Sequence, residues 1–315
     1  MEGQPMTRRE IIAAALSALP LAAKALDRSR LSIIGDEAGD TLEDWIRFAH
    51  QHKLRWLEMR AMLRDGAPAF LDSLPASEVR SMARRLKGEG IGVSFYNSAL
   101  LKYTLPGTEP VQTEKWYDRL YARLKLTPEL LYAQREERLR RAIATTQALG
   151  ATQLRAFTFW RVRNPRMLYP RLVELFTEMG SIAEKEGCRI LIEIEHATNV
   201  ATSEEMRDLL RELPSPAIGI NWDPQNARNL EPDVFPAGYL KLPRLRIGNV
   251  QIKAEGLFGP GKLDWPSMIR TLEADGYQGL YGLETHHGQG AENHRMSHRA
   301  MAELIRITDP GTVSC

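Results

Sequence analysis

From residue 31 onward the chain alternates between two patterns. A short apolar, β-branched run ends in polar or acidic residues, and a stretch with apolar positions at i, i+3 and i+4 follows. The first pattern predicts strands at Leu31–Gly35, Arg55–Met59, Ile91–Tyr96, Gln153–Thr158, Arg189–Glu195, Ala217–Trp222, Arg246–Ile252 and Gly279–Glu284. The second predicts amphipathic helices such as Leu42–His50 and Leu168–Glu186. Helix stops at Gly88–Gly90, Gly150, Gly187 and Gly276 precede several strands. Near-continuous apolar strands alternating with helices imply a parallel sheet covered on both faces. Eight such units within 315 residues favour a single-domain α/β protein, a closed (β/α)8 barrel, over an open doubly wound sheet. The phosphate-cradling glycine fingerprints of open sheets are absent from the sequence.

Two stretches exceed a plain crossover. The segment from about Leu100 to Glu136 carries Trp116, Tyr117, Tyr121 and Tyr132 and is expected to add helices over the barrel mouth. The segment Asn226–Leu242 is rich in Pro and Asn and is expected to be a long loop shaping the site. At the N-terminus, paired Arg8 and Arg9 precede an Ala/Leu-rich run, and Ala23-Lys24-Ala25 offers small residues for a signal peptidase. Residues 1–25 therefore read as a twin-arginine signal segment ahead of a barrel at 26–315, which places the mature protein in the periplasm. The competing reading is an ordinary amphipathic first helix of a cytosolic protein.

Composition narrows the function classes. With 42 basic and 40 acidic residues the formal charge is +2, which gives no electrostatic footprint for nucleic acid. No apolar run reaches the roughly 18 residues of a membrane span. Cys188 and Cys315 make no disulfide framework or thiolate metal site; Cys188 reads as a small core residue.

The chemistry of such a barrel sits at the C-terminal ends of its strands. In Ile190-Leu-Ile-Glu193-Ile-Glu195-His196 a period of two puts both glutamates on the inward face and the isoleucines against the helices. The sixth strand ends in Asn221-Trp-Asp223-Pro-Gln-Asn226 and the eighth in Glu284-Thr-His286-His287. In the seventh, Asn249, Gln251 and Lys253 alternate with apolar residues and should point inward. Strand ends five to eight thus supply Glu193, Asp223, Gln251 and Glu284. Converging carboxylates repel one another, and a divalent cation relieves that repulsion. An oxygen-dominated set favours Mn or Mg over zinc. The bland alternative is that each acid is satisfied separately by a loop or an arginine.

These segments resemble the sugar phosphate isomerase/epimerase superfamily of xylose isomerase-like barrels. The resemblance includes Asp36-Glu37, Trp56-Leu-Glu58-Met-Arg60, Asn97–Lys102 and Leu154–Arg161, together with the three acidic strand ends. It implies a metal held by Glu193, Asp223, Gln251 and Glu284, with Glu193 and Glu284 as the acid/base pair. Where the family often has His, this chain has Asn226 and Gln251; Asn249 competes with Gln251 as ligand. Lys102, Arg155, Trp160, Arg161, Glu195, Asn226, Lys253 and His286 are the expected substrate-binding residues. The basic ones among them could equally pair to hold the barrel closed. Glu58 and Arg60 share a face and are expected to pair. His196 and His287 read as surface or loop, and His294 and His298 as a solvated helix face.

The resulting expectation is a metal-dependent enzyme that removes a proton beside a carbonyl of a sugar or keto-sugar, an isomerase or epimerase. One alternative is a lyase or hydrolase cleaving 3-keto-glycosides by β-elimination; another is a non-catalytic sugar-binding barrel. The partner is a small sugar, with no nucleic acid and no membrane insertion. An oligomeric assembly is compatible with the sequence.

Overall fold

A computed structural model of the protein describes residues 26–64, 66–254, 258–259, 261–286 and 290–308. The expected signal segment, His287 and Cys315 lie outside the described residues. The barrel strands are β1 (Leu31–Ile33), β2 (Trp56–Met59), β5 (Gly92–Leu100), β6 (Gln153–Ala156), β7 (Arg189–Glu193), β8 (Ile218–Trp222), β9 (Ile247–Lys253) and β10 (Leu280–Glu284). All pair in parallel, in the order β1-β10-β9-β8-β7-β6-β5-β2. A single parallel bridge between Ile34 and Glu58 brings the two ends of this sheet together. The eight strands fall where the apolar runs predict them, and the fold is a single-domain TIM barrel.

Two further strands, β3 (Ala61–Arg64) and β4 (Ala67–Phe70), form an antiparallel hairpin that the sequence reading lacks. Arg64 pairs with Ala67, so two residues make the turn, and Gly66 takes a φ of +73°. The Asp65-Gly66 dipeptide is the local signal for such a turn. Four residues on each side of a two-residue turn are too few to show a period that separates strand from loop.

The outer layer comprises α1 (Leu42–Gln51), α2 (Ala76–Gly88), α3 (Lys115–Arg123), α4 (Pro128–Ala133), α5 (Arg135–Ala148), α6 (Tyr169–Lys185), α7 (Ser203–Arg211), α8 (Trp265–Ala274) and α9 (Ala291–Ile307). Helix α1 starts with a capping box, in which Thr41 and Asp44 satisfy each other's backbone N–H groups. Gly150 and Gly187, just beyond α5 and α6, adopt the left-handed conformation that ends a helix at low cost. Ile190 and Ile192 are fully buried in one core with Leu172 and Phe176 of α6. Burial of each such side chain stabilises by roughly 1.5–3 kcal/mol. Cys188 is a buried free thiol in the same core. Among the described residues, no helix is long and apolar enough to cross a membrane.

The long segment after β5 does place helices at the mouth. Tyr117 of α3 lies against Trp160, and Phe70 of the hairpin meets both Trp116 and Tyr117. This aromatic cluster is separate from the main core.

Candidate active site

The barrel interior carries two polar layers. The lower one centres on Glu58, fully buried on β2. Its Oε1 accepts from Ser32 Oγ (3.3 Å) and Asn249 Nδ2 (3.1 Å), and its Oε2 from Asn97 Nδ2 (2.7 Å) and Gln251 Nε2 (2.6 Å). Gly282 makes the space: a Cβ there would overlap the Glu58 carboxylate. Burial pushes the Glu58 carboxyl upward, against the amide donors of Asn97, Gln251 and Asn249. Glu58 and Arg60 therefore do not pair, contrary to the sequence expectation. The chain turns after β2, and Arg60 reaches instead to Asp36, Glu37 and Glu284 at 3.0, 2.8 and 2.8 Å.

The upper layer gathers four carboxylates with their cations. Glu193 Oε2 accepts from Arg155 Nη1 (2.9 Å) and Asn221 Nδ2 (2.8 Å), while its Oε1 accepts from Asn226 Nδ2 (3.2 Å). Asp223 caps the short helical turn Pro224–Ala227, its Oδ1 accepting from the Asn226 N–H. That local motif turns Oδ2 toward the Lys253 ammonium, 3.0 Å away. Lys253 pairs in register with Glu284 on β10, and its Nζ lies 3.7 Å from Glu284 Oε2. Asn226 is the hub: its Oδ1 accepts from Lys253 (2.6 Å), and its Nδ2 donates to both Glu193 and Glu195. Glu284 Oε1 meets Arg60 and His286 Nε2, each at 2.8 Å.

Glu195 forms the edge of this layer. It touches Asn226, His196 Nδ1 (2.8 Å) and Lys102 Nζ (3.6 Å). His196, expected as surface or loop, is thus tied to the site through the bend after β7. The Lys102 ammonium sits over Phe157, Tyr117 and Trp160 at 4.4, 4.9 and 5.8 Å and pairs with Glu114 at 2.8 Å. Arg161 does not reach the cluster: Glu205 holds its guanidinium at 2.7 and 3.1 Å. Trp160 is buried in the aromatic cluster. Leu101, Phe159 and His286, near the exits of β5, β6 and β10, adopt positive φ of 65°, 60° and 53°. Such backbone costs about 1 kcal/mol or more per non-glycine residue and tends to collect at functional sites.

The electrostatics separate the acids. Burial pushes Asp223 up to about 7, against Lys253 and with help from Glu193 and Glu284. Burial also raises Glu284, but His286, Lys253 and Arg60 outweigh it and hold the carboxyl well below the usual range. Glu195 is likewise lifted by burial and then held low by Lys102 and His196. His286 is raised, chiefly by Glu284. Burial opposes the charge on Lys253, but the surrounding carboxylates keep it protonated.

Three buried oxygens in this region have no hydrogen-bond partner: Asp223 Oδ2, Gln251 Oε1 and Glu284 Oε2. They come from the adjacent strands β8, β9 and β10. Lys253 faces two of them as an ion pair without hydrogen-bond geometry. Gln251 commits its amide N–H to Glu58 one layer down, which leaves its oxygen unpaired. Orphaned buried oxygens are costly unless a cation or water meets them. Oxygen donors of this kind suit a hard divalent ion, but Glu193, Asp223 and Glu284 do not bring ligand atoms within 4.8 Å of one another, and Lys253 already stands between Asp223 and Glu284. A second group, Glu37, Glu284 and His286, brings its ligand atoms within 4.8 Å of one another. Arg60 bridges Glu37 and Glu284 there, as Lys253 bridges Asp223 and Glu284 on the other side.

The model of the family described as xylose isomerase-like TIM barrel matches residues 46–306. No curated protein matches the sequence. Among solved structures, a xylose isomerase domain-containing protein from Salmonella typhimurium aligns with TM-score 0.61 and 17% identity, covering 91% of this chain and 98% of that one. An L-ribulose 3-epimerase aligns with TM-score 0.65 and 16% identity, covering 89% and 94%. A 3-keto-D-glucoside 4-epimerase from E. coli aligns with TM-score 0.63 and 15% identity, covering 88% and 98%. At these identities the likeness is one of fold.

Proposed function

The chain belongs to the xylose isomerase-like TIM-barrel family, and from that premise we propose that it is a sugar isomerase or epimerase acting by proton transfer beside a carbonyl. The observation that carries this reading is the upper layer: Glu193 on β7 and Glu284 on β10 share a buried polar cluster in which Asp223 Oδ2, Gln251 Oε1 and Glu284 Oε2 have no hydrogen-bond partner. The names of the solved neighbours, two of them sugar epimerases, supply the substrate class. Glu193, Asp223, Gln251 and Glu284 would hold a divalent ion, Mn or Mg. When bound, such an ion supplies Lewis-acid stabilisation of the charge that develops on the substrate oxygens.

The protein's own groups divide the remaining work. Glu193 is dry, fixed by Arg155, Asn221 and Asn226, and is aimed as a carboxylate base. Glu284 bonds to His286, whose ring is about half-exposed and can pass a proton between Glu284 Oε1 and solvent. An acid/base pair of this kind contributes about 10²–10⁴-fold. Lys253 offsets the surplus negative charge, and Lys102 presents a fixed cation at the rim for a substrate hydroxyl. Phe70 and Trp116, partly exposed members of the aromatic cluster, give a sugar face something to stack on.

A second reading is β-elimination from a 3-keto-glycoside, a substrate class suggested by the name of the 3-keto-D-glucoside 4-epimerase neighbour. Incubation of the Mn-loaded enzyme with ketoses and 3-keto-glucosides, followed by NMR, separates the two. A new epimer or aldose supports the first reading and release of the aglycone the second. Saturable binding with neither product would make the protein a sugar binder and overturn the proposal.

A further inference from the structure

The opposite end of the barrel holds a cavity of about 330 Å³ that the proposed reaction does not use. Its walls are the N-terminal ends of the strands: Gln153 opens β6, Arg189 opens β7, and Gly248 stands second in β9. Tyr239, Arg244 and Asp275 complete the rim.

The floor of this barrel is rich in guanidinium groups, and Arg30, Arg244 and Arg246 each have a short partner. Arg30 donates to Glu273 at 2.7 and 2.8 Å and to the carbonyls of Tyr277 and Gly279. Arg246 donates to three carbonyls at 2.7–3.1 Å, those of Ile218, Leu213 and Ser215. Arg244 pairs with Asp275 at 2.7 Å, and the Tyr239 hydroxyl donates to the same carboxylate oxygen. Asp275 is therefore neutralised.

Arg189 differs from all of them. It makes two long contacts, Nε to the Pro216 carbonyl at 3.3 Å and Nη1 to Gln153 Oε1 at 3.4 Å. Among the described residues its Nη2 has no acceptor, and no carboxylate lies within ion-pair reach. Space is nevertheless kept for it: a Cβ on Gly219 would stand 2.8 Å from Nη2, and one on Gly248 would crowd Gln153 Oε1. A half-buried guanidinium with spare donors, facing a cavity of net positive wall charge, lacks an anion.

We propose that this floor cavity is an anion-binding site, in which Arg189 receives a small phosphate- or carboxylate-bearing molecule. Planar donors of this kind bind such oxygens bidentately. The site lies at the far end of the strands from the upper polar layer, so its occupant is a ligand distinct from the substrate. It does not depend on the reaction proposed above.

The test uses the whole chain with inorganic phosphate and with succinate, at constant ionic strength, by calorimetry and thermal shift. At least one of the two is expected to bind saturably and raise the Tm, and which one does identifies the head group. Arg189→Gln is expected to weaken binding about tenfold or more. Leu245, at the rim and 95% exposed, offers a variant that leaves the floor packing alone. Leu245→Glu is expected to weaken binding about threefold, and Leu245→Lys to strengthen it. Absence of saturable binding by either anion, or binding unchanged in Arg189→Gln and both Leu245 variants, overturns the proposal. If Arg189→Gln does not fold, the two Leu245 variants decide it.

Discussion

Two buried polar layers lie one above the other in this barrel, and each keeps a carboxylate out of water by different means. Around Glu58 the donors are neutral: one serine, two asparagines and one glutamine. Around Asp223 and Glu284 they are charged: Lys253, Arg60 and His286. Neutral donors leave the lower acid raised and inert, with both oxygens engaged. Charged donors hold Glu284 ionised but leave oxygens on Asp223, Gln251 and Glu284 without hydrogen bonds. Glu58 has both oxygens hydrogen-bonded, whereas the upper layer keeps two carboxylate oxygens that meet Lys253 only as an ion pair.

The sharpest way to break this contrast is to remove charge from the upper layer alone. Glu284→Gln is expected to lower kcat about 10³-fold, roughly 4 kcal/mol of barrel-mouth chemistry, with the fold retained. Steady-state rates and a melting curve check both halves. Lys253→Met comes next. It leaves Asp223 and Glu284 without their shared cation, and should cost about 3 kcal/mol in chelator-treated protein. Added Mn²⁺ should recover more stability in this variant than in the parent, and denaturant melts with and without the ion measure the difference.

A smaller effect is expected one layer down. Glu58→Gln turns one acceptor into a donor facing other amides, at a cost of about 1–3 kcal/mol. Its kcat should stay within a few-fold of the parent, because no reacting group has moved. A large loss of activity without loss of stability would erase the distinction between the layers.

The smallest effect is far from both. His52 Nε2 and His298 Nδ1 lie 2.9 Å apart with the Phe48 ring tilted against both, so His298 is not on a solvated face as its helix pattern implied. Burial, then the His298 charge, push His52 down to about 4. The unfolded chain binds that proton near the ordinary value of about 6.5. Stability from this pair is therefore complete above about pH 6.5 and lost as pH falls toward 4. Tm measured across that window should drop, and His52→Gln should flatten the drop.

Much of the barrel is legible because its signals are local. Apolar runs mark all eight strands, glycine stops precede several of them, and the alternation in Ile190–Glu195 and Asn249–Lys253 places both inward faces. What is not legible depends on register. Nothing near Arg60 announces that Asp36, Glu37 and Glu284 converge on it, since the last lies 224 residues away. The choice of Lys253 over Gln251 as the neighbour of Asp223 follows from the layer each residue occupies, which a single strand cannot reveal. The β3–β4 hairpin escaped because four-residue strands are too short to show a period. The His52–His298 contact spans two helices whose patterns say only which face is polar.

The upper layer is proposed to move a proton on and off carbon beside a carbonyl. This is tested most directly by solvent-deuterium exchange. Mn-loaded protein is incubated in D₂O with a panel of ketoses and 3-keto-glucosides, and the carbon next to the carbonyl is followed by NMR. The account predicts deuterium incorporation in at least one substrate, abolished in both Glu193→Gln and Glu284→Gln. No incorporation in any substrate, or incorporation undiminished in both variants, would contradict it.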